Sequence, residues 1–130
     1  MEDSEKTILL VEDDERVRLL LSLFLLYYPA KLLQARNGLE ALGIAREAKP
    51  DVIVTDLNMP VMDGITLIKL IRADEVLKST PVIVLTGTAG EMQSLANKEG
   101  ATAVLPKPIK KKEFINLIEI VLKQKEHAPK

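Results

Sequence analysis

The 130-residue chain contains no cysteine. That absence excludes disulfides, zinc–thiolate sites and thiol nucleophiles together, and it suits a reducing cytosol. An excess of either charge is also missing. Eighteen basic and 19 acidic residues leave a net charge of −1, so nothing global points to nucleic acid or an anionic membrane. The apolar stretch from Leu19 to Tyr28 covers ten positions and includes Ser22, where a bilayer span needs roughly 20 apolar residues. The opening Met1-Glu2-Asp3-Ser4-Glu5 is acidic where a secretory signal is basic. There is one histidine, His127, and it reads as a solvated tail residue rather than a ligand or phosphodonor. Repeats and low-complexity linkers are absent as well. What is present is 47% hydrophobic residues, enough for one domain with a proper core. The expectation is a cytoplasmic domain spanning 1–130, its core at about 6–125.

The stretch Asp51-Val-Ile-Val-Thr-Asp56-Leu-Asn58-Met-Pro60-Val-Met-Asp-Gly64 organises the rest. Val52-Ile53-Val54 suits a strand covered on both faces, and Pro60 with Asp63-Gly64 supplies turn chemistry directly after it. Asp56 therefore sits where a buried strand emerges into a loop, the edge at which parallel α/β sheets bind ligands. Taken alone, it also reads as an Asp capping that loop.

Elsewhere the chain alternates. Lys6 to Val11 predicts a first strand ending in the acidic run Glu12-Asp13-Asp14-Glu15. The spacing of Val17, Leu20, Leu21 and Phe24 predicts a helix from about Asp14 to Tyr27, with these four facing the sheet. Strands follow over Lys31–Ala35, Val52–Thr55, Pro81–Thr86 and Thr102–Leu105. Helices are expected over Leu39–Ala48, from Ile65 to about Asp74, over Gly90–Glu99 and over Lys111–Lys125. The last helix turns Phe114, Leu117, Ile118 and Val121 inward. Five strand–helix alternations predict an α/β fold, a doubly wound five-stranded parallel sheet with five helices.

In that topology the ends of four strands converge on one edge, bringing Glu12-Asp13, Asp56, Thr86 and Lys107 together. Two carboxylates about 4 Å apart repel by on the order of 4 kcal/mol at an effective dielectric near 20. A cation must offset this, and Mg²⁺ is characteristically held by one or two carboxylates, waters and phosphate oxygens. Lys107 adds a fixed positive charge and Thr86 a hydroxyl. Such a set resembles a phosphoryl-transfer site, in which a carboxylate can itself be the nucleophile.

Val11-Glu12-Asp13-Asp14, Asp56-Leu-Asn58-Met-Pro60, Met62-Asp63-Gly64, Leu85-Thr86 and Lys107-Pro108 together resemble the receiver domain of two-component response regulators. The resemblance runs from about Lys6 to Lys125 and implies a flavodoxin-like sheet of order 2-1-3-4-5. It implies Asp56 as phosphoacceptor, served by a histidine kinase or histidine phosphotransferase. It further implies Mg²⁺ held by Asp13 and Asp56, by Glu12 through water, and by the backbone carbonyl of Asn58. Lys107 would pair with the phosphoryl group, Thr86 would swing in to hydrogen-bond it, and Asp14 would be a loop or cap residue. The Lys107–Pro108 bond is typically cis in the family. The face formed by the fourth helix, fifth strand and fifth helix would then signal to a partner. That partner is either a separate output protein or an effector domain missing from this chain. No membrane and no direct nucleic-acid contact is implied, and the Lys110-Lys111-Lys112 run reads as a solvated face.

Two positions depart from the family pattern. Val104 stands where many receivers carry Tyr or Phe, so readout by a swinging ring is not available there. Gly87 replaces the common Ala and could loosen the loop after Thr86, opening the phosphoryl group to water. Two rival functions stay open. One is a receiver-like interaction module that is never phosphorylated. The other is an aspartyl-nucleophile phosphatase, although Asn58 stands where such enzymes carry a second Asp. A second stripe on the first helix, Leu19, Leu23 and Leu26, is either covered by the last helix or an apolar docking patch for a partner helix.

Overall fold

The computed structural model describes residues 5–87 and 90–126, so the expected tail at His127 lies outside it. Ten elements alternate along the chain: β1 (Lys6–Val11), α1 (Glu15–Phe24), β2 (Ala30–Ala35), α2 (Gly38–Ala48), β3 (Val52–Asp56), α3 (Gly64–Ala73), β4 (Val82–Thr86), α4 (Glu91–Glu99), β5 (Ala103–Pro106) and α5 (Lys111–Glu126). Their limits fall within one to three residues of the sequence reading. All four strand pairings are parallel and the order is β2-β1-β3-β4-β5, as expected.

Alternating side chains divide the interior into two cores. Leu9, Val11, Ile53, Val82 and Val84 face α2, α3 and α4. Ile8, Leu10, Val52, Val54, Ile83 and Leu85 face α1 and α5. Every residue of β3 and β4 is buried, which is why these strands carry unbroken apolar runs.

Local chemistry starts most of the helices. Asp14, Asn37 and Asp63 cap α1, α2 and α3 by accepting backbone N–H groups of the first turn. Gly90 opens α4 with no side-chain cap, and Ala96 is the buried residue of that helix. The far end of α4 is pinned instead. The Arg72 guanidinium donates to the Gly100 carbonyl from Nε at 3.0 Å and Nη2 at 2.7 Å. It also donates to the carbonyls of Lys78 at 3.1 Å and Thr80 at 2.7 Å. A Cβ on Gly100, whose φ is +112°, would meet Arg72 Nε at 2.9 Å, so the clamp needs glycine there.

Helix α1 corrects the sequence reading twice. It ends at Phe24 rather than near Tyr27, because the N–H groups of Leu25, Leu26 and Tyr28 bond three residues back and tighten the chain out of α geometry. Leu20 does not face the sheet and is 49% exposed. At 100° per residue the buried Leu21 and Leu25 set a core axis about 120° round the helix from Leu20, with the half-buried Val17 and Phe24 in between. Leu19, Leu23 and Leu26 are 59%, 51% and 60% exposed, so α5 leaves their stripe uncovered. Contact between the two helices runs through Phe24 and Phe114, whose ring centroids lie 6.3 Å apart.

Candidate functional site

Parallel strands all release their C-terminal ends at one edge, and the sequence loads that edge with polar groups. Val11 closes β1 and passes directly to Glu12. β3 ends on Asp56 and β4 on Thr86, while Lys107 follows the last residue of β5. Glu12, Asp56 and Thr86 are nearly enclosed at 1%, 4% and 1% exposure, whereas Asp13 and Asn58 face solvent.

Carboxylate oxygens of Glu12, Asp13 and Asp56 lie within 4.8 Å of one another. Each such pair repels by about 3–4 kcal/mol at an effective dielectric near 20. Lys107 supplies the local counter-charge, its Nζ standing 3.0 Å from Asp56 Oδ2 and 4.0 Å from Glu12 Oε1. The backbone N–H of Leu57 donates to the other Asp56 oxygen at 2.8 Å, so both Asp56 oxygens are oriented. Lys107 is itself fixed, its backbone N–H donating to the Thr86 carbonyl at 2.8 Å. The Lys107–Pro108 bond is cis.

Glu12 is held on three sides. Its N–H donates to the Ala35 carbonyl at 3.1 Å, and its Oε2 accepts the Asp14 N–H at 3.1 Å. The Arg18 guanidinium reaches its backbone carbonyl at 2.8 Å. Oε1, by contrast, is buried without a hydrogen-bond partner. Burial, with Asp56 adding like charge, pushes the Glu12 carboxyl up to about 7, against the opposing Asp14 N–H and Lys107. An orphaned buried oxygen beside two further carboxylates fits a small, hard divalent cation.

The loop after Asp56 closes tightly. A Cβ on Gly64 would lie 2.5 Å from the Asp56 carbonyl oxygen, so α3 can begin this near the strand end only with glycine. Val61 sits in the same loop at φ +71°, a left-handed conformation costly for a β-branched residue.

The six residues singled out in the sequence thus lie on two strand ends and three adjoining loops at one edge. Five of them form the charged cluster and its immediate surroundings, and Asn58 stands two positions past Asp56 on the exposed loop. Arg18 escaped the sequence reading. Its only sequence signal is a basic residue one turn past the Asp14 cap, which reads equally well as solvated surface.

A five-stranded 2-1-3-4-5 sheet with this charged edge defines a receiver-type switch, and the chain belongs to the response regulator receiver domain family, whose model it matches over residues 8–119. Domains of this class are phosphoacceptor signalling switches of two-component systems. The polar-differentiation response regulator DivK of Brucella anthropi is 34% identical over 119 residues, covering 90% of this chain and 96% of that protein. The solved chemotaxis response regulator CheY4 of Vibrio cholerae is 32% identical, with a TM-score of 0.85 over 91% of this chain and 99% of that one. The receiver domain of Francisella response regulator 1452 is 30% identical, with a TM-score of 0.85 over 92% and 98%.

Proposed function

We propose that Asp56 is the phosphoacceptor and that it takes a phosphoryl group from a phosphohistidine on a histidine kinase or histidine phosphotransferase. The observation that carries this reading is Lys107 Nζ, 3.0 Å from an enclosed Asp56 carboxylate at the mouth of an acidic cluster. One Asp56 oxygen attacks phosphorus, the P–N bond breaks, and the imidazole departs with the electron pair. Lys107 neutralises charge on the incoming phosphoryl oxygens, and the Leu57 N–H holds the carboxylate in line. Glu12, Asp13 and Asp56, with the Asn58 carbonyl, would hold Mg²⁺, which when bound supplies charge neutralisation for the transfer. Hydrolysis of the aspartyl phosphate resets the switch, so the chemistry stays confined to the protein's own phosphorylation and dephosphorylation.

The added phosphoryl group brings about −1.5 to −2 charge to an edge already crowded with carboxylates. Lys107 and the enclosed Thr86 hydroxyl are the groups that answer it. Their strands lead into α4 and α5, so the output face is that of α4, β5 and α5, read by a protein partner. We place this activity in the cytoplasm, within one receiver domain across 1–130, without membrane or direct nucleic-acid contact. Among the described residues no helix is long and apolar enough to cross a membrane.

Intact mass after incubation with a small phosphodonor and Mg²⁺ tests the assignment. A single phosphoryl gain, lost in Asp56→Asn and with chelator, is the expected result. Absence of any gain under conditions where Mg²⁺ binds would instead identify a receiver-like interaction module that is not phosphorylated.

A further inference from the structure

We propose that Arg18 is a positioning residue for the divalent-cation site, acting through the peptide group that joins Glu12 to Asp13. The inference rests on the reading of that site given above.

Arg18 lies one turn into α1, half-buried. The sequence places four acids immediately before it, Glu12-Asp13-Asp14-Glu15. Its guanidinium nevertheless forms no salt bridge among the described residues. It donates instead from Nη1 to the backbone carbonyl of Glu12 at 2.8 Å. A guanidinium fork normally seeks a carboxylate, where its paired N–H groups match two oxygens. Here it engages a neutral acceptor and leaves the four preceding acids unpaired by it, while its charge reaches Glu40 of α2.

That choice has a chemical consequence. The Glu12 carbonyl is one end of the peptide whose other end is the Asp13 N–H, so fixing it fixes the direction in which Asp13 leaves the backbone. The same residue is held at its own N–H by the Ala35 carbonyl and at Oε2 by the Asp14 N–H. Arg18 thus completes a frame around the two acidic ligands without consuming either of them. An arginine paired directly with Asp13 would compete with the cation for that carboxylate.

Two effects of Arg18 on cation affinity oppose each other, which gives the test its sign. As a positive charge near the site, Arg18 repels a divalent cation, so removing it should tighten binding if charge alone mattered. As an anchor for the Glu12–Asp13 peptide, its removal should weaken binding, as loss of an outer partner of metal ligands typically does by 10–100-fold. A purely structural role would lower thermal stability while leaving cation affinity unchanged.

Calorimetric titration of the whole chain with MgCl₂ separates these cases, using wild type, Arg18→Met and Arg18→Lys, with cation-free melting curves alongside. We expect Arg18→Met to bind Mg²⁺ about tenfold more weakly. Arg18→Lys, which keeps a donor on its arm, should recover part of the loss. Small-donor phosphorylation of the methionine variant should lag at low Mg²⁺ and reach the wild-type rate at saturation. Unchanged or tighter Mg²⁺ binding in Arg18→Met, with wild type binding normally, overturns the role of Arg18 alone. Failure of wild type itself to bind Mg²⁺ overturns the cation site and this inference with it. Should Arg18→Met not fold, Arg18→Gln, shorter and neutral, is read against the same outcomes.

Discussion

At the proposed Mg²⁺ site, Glu12 would couple proton and cation binding. Its carboxyl is raised from 4.5 to about 7 by burial and by the nearby Asp56. Between those values the cation-free folded protein binds a proton that the unfolded chain does not. Glu12 therefore adds stability below about pH 4.5, and that contribution is lost as pH rises through 7. Cation binding runs the other way, because the proton must leave first. Mg²⁺ affinity should fall by up to about tenfold per unit of acidification below pH 7, and Glu12→Gln should flatten the profile; titration calorimetry at pH 6, 7 and 8 measures both. Val61 offers a second residue-scale prediction. It holds φ +71° while 74% exposed, so its side chain contributes little burial to set against the strain. Left-handed backbone costs a non-glycine residue on the order of 1–3 kcal/mol, and glycine's extra freedom in the unfolded chain returns roughly 0.5–1 of that. Val61→Gly should stabilise the domain by about 1 kcal/mol, seen as a rise in Tm, and a fall in Tm would contradict the strain.

At the scale of elements, α1 and α4 are anchored in opposite ways. α1 is apolar on its solvent side as well as its core side, since Leu19 and Leu23 are exposed along it and Leu26 just past its end. An apolar stripe of this kind suits a partner helix. Leu23→Lys should slow phosphotransfer from the kinase or phosphotransferase severalfold and leave phosphorylation by a small donor unchanged; equal slowing with both donors would place the fault in the site. α4 buries little and relies on Arg72 at its end. Arg72→Met would strip a donor from the Gly100, Lys78 and Thr80 carbonyls. Unsatisfied groups of this kind cost about 1–3 kcal/mol each when buried and less when water reaches them. A total near 2–3 kcal/mol is expected in denaturant unfolding, with faster amide exchange in the last turn of α4.

Across the whole molecule, legibility in the sequence follows the range of the interaction. Strand and helix periods repeat locally, and the rule that parallel strands end together turns Glu12, Asp56, Thr86 and Lys107 into neighbours on topology alone. Leu20 defeats the apolar stripe, which cannot say that α1 stops at Phe24 and that Leu25 packs inward. Arg18 and Arg72 were illegible for a different reason. Each binds backbone carbonyls, which every residue offers, so no partner residue type marks the contact in the sequence. Val61 likewise gives no signal, since it sits at the centre of a tight turn closed by the Met62 N–H on the Pro60 carbonyl at 2.7 Å, again a backbone contact.

The uncapped start of α4, and the buried and clamped half beyond it, also make that helix a short lever. The residues ahead of the buried Ala96, at about 1.5 Å each, give an arm of roughly 7 Å, its base held by Ala96 and by the Arg72–Gly100 clamp. A tilt of about ten degrees would carry the Gly90 end roughly 1 Å while the clamped end stayed in place. Gly90 lies four residues beyond Thr86, on the segment that leaves the site edge. A displacement too small to disturb the buried strands would therefore show at the surface in the first turn of one short helix.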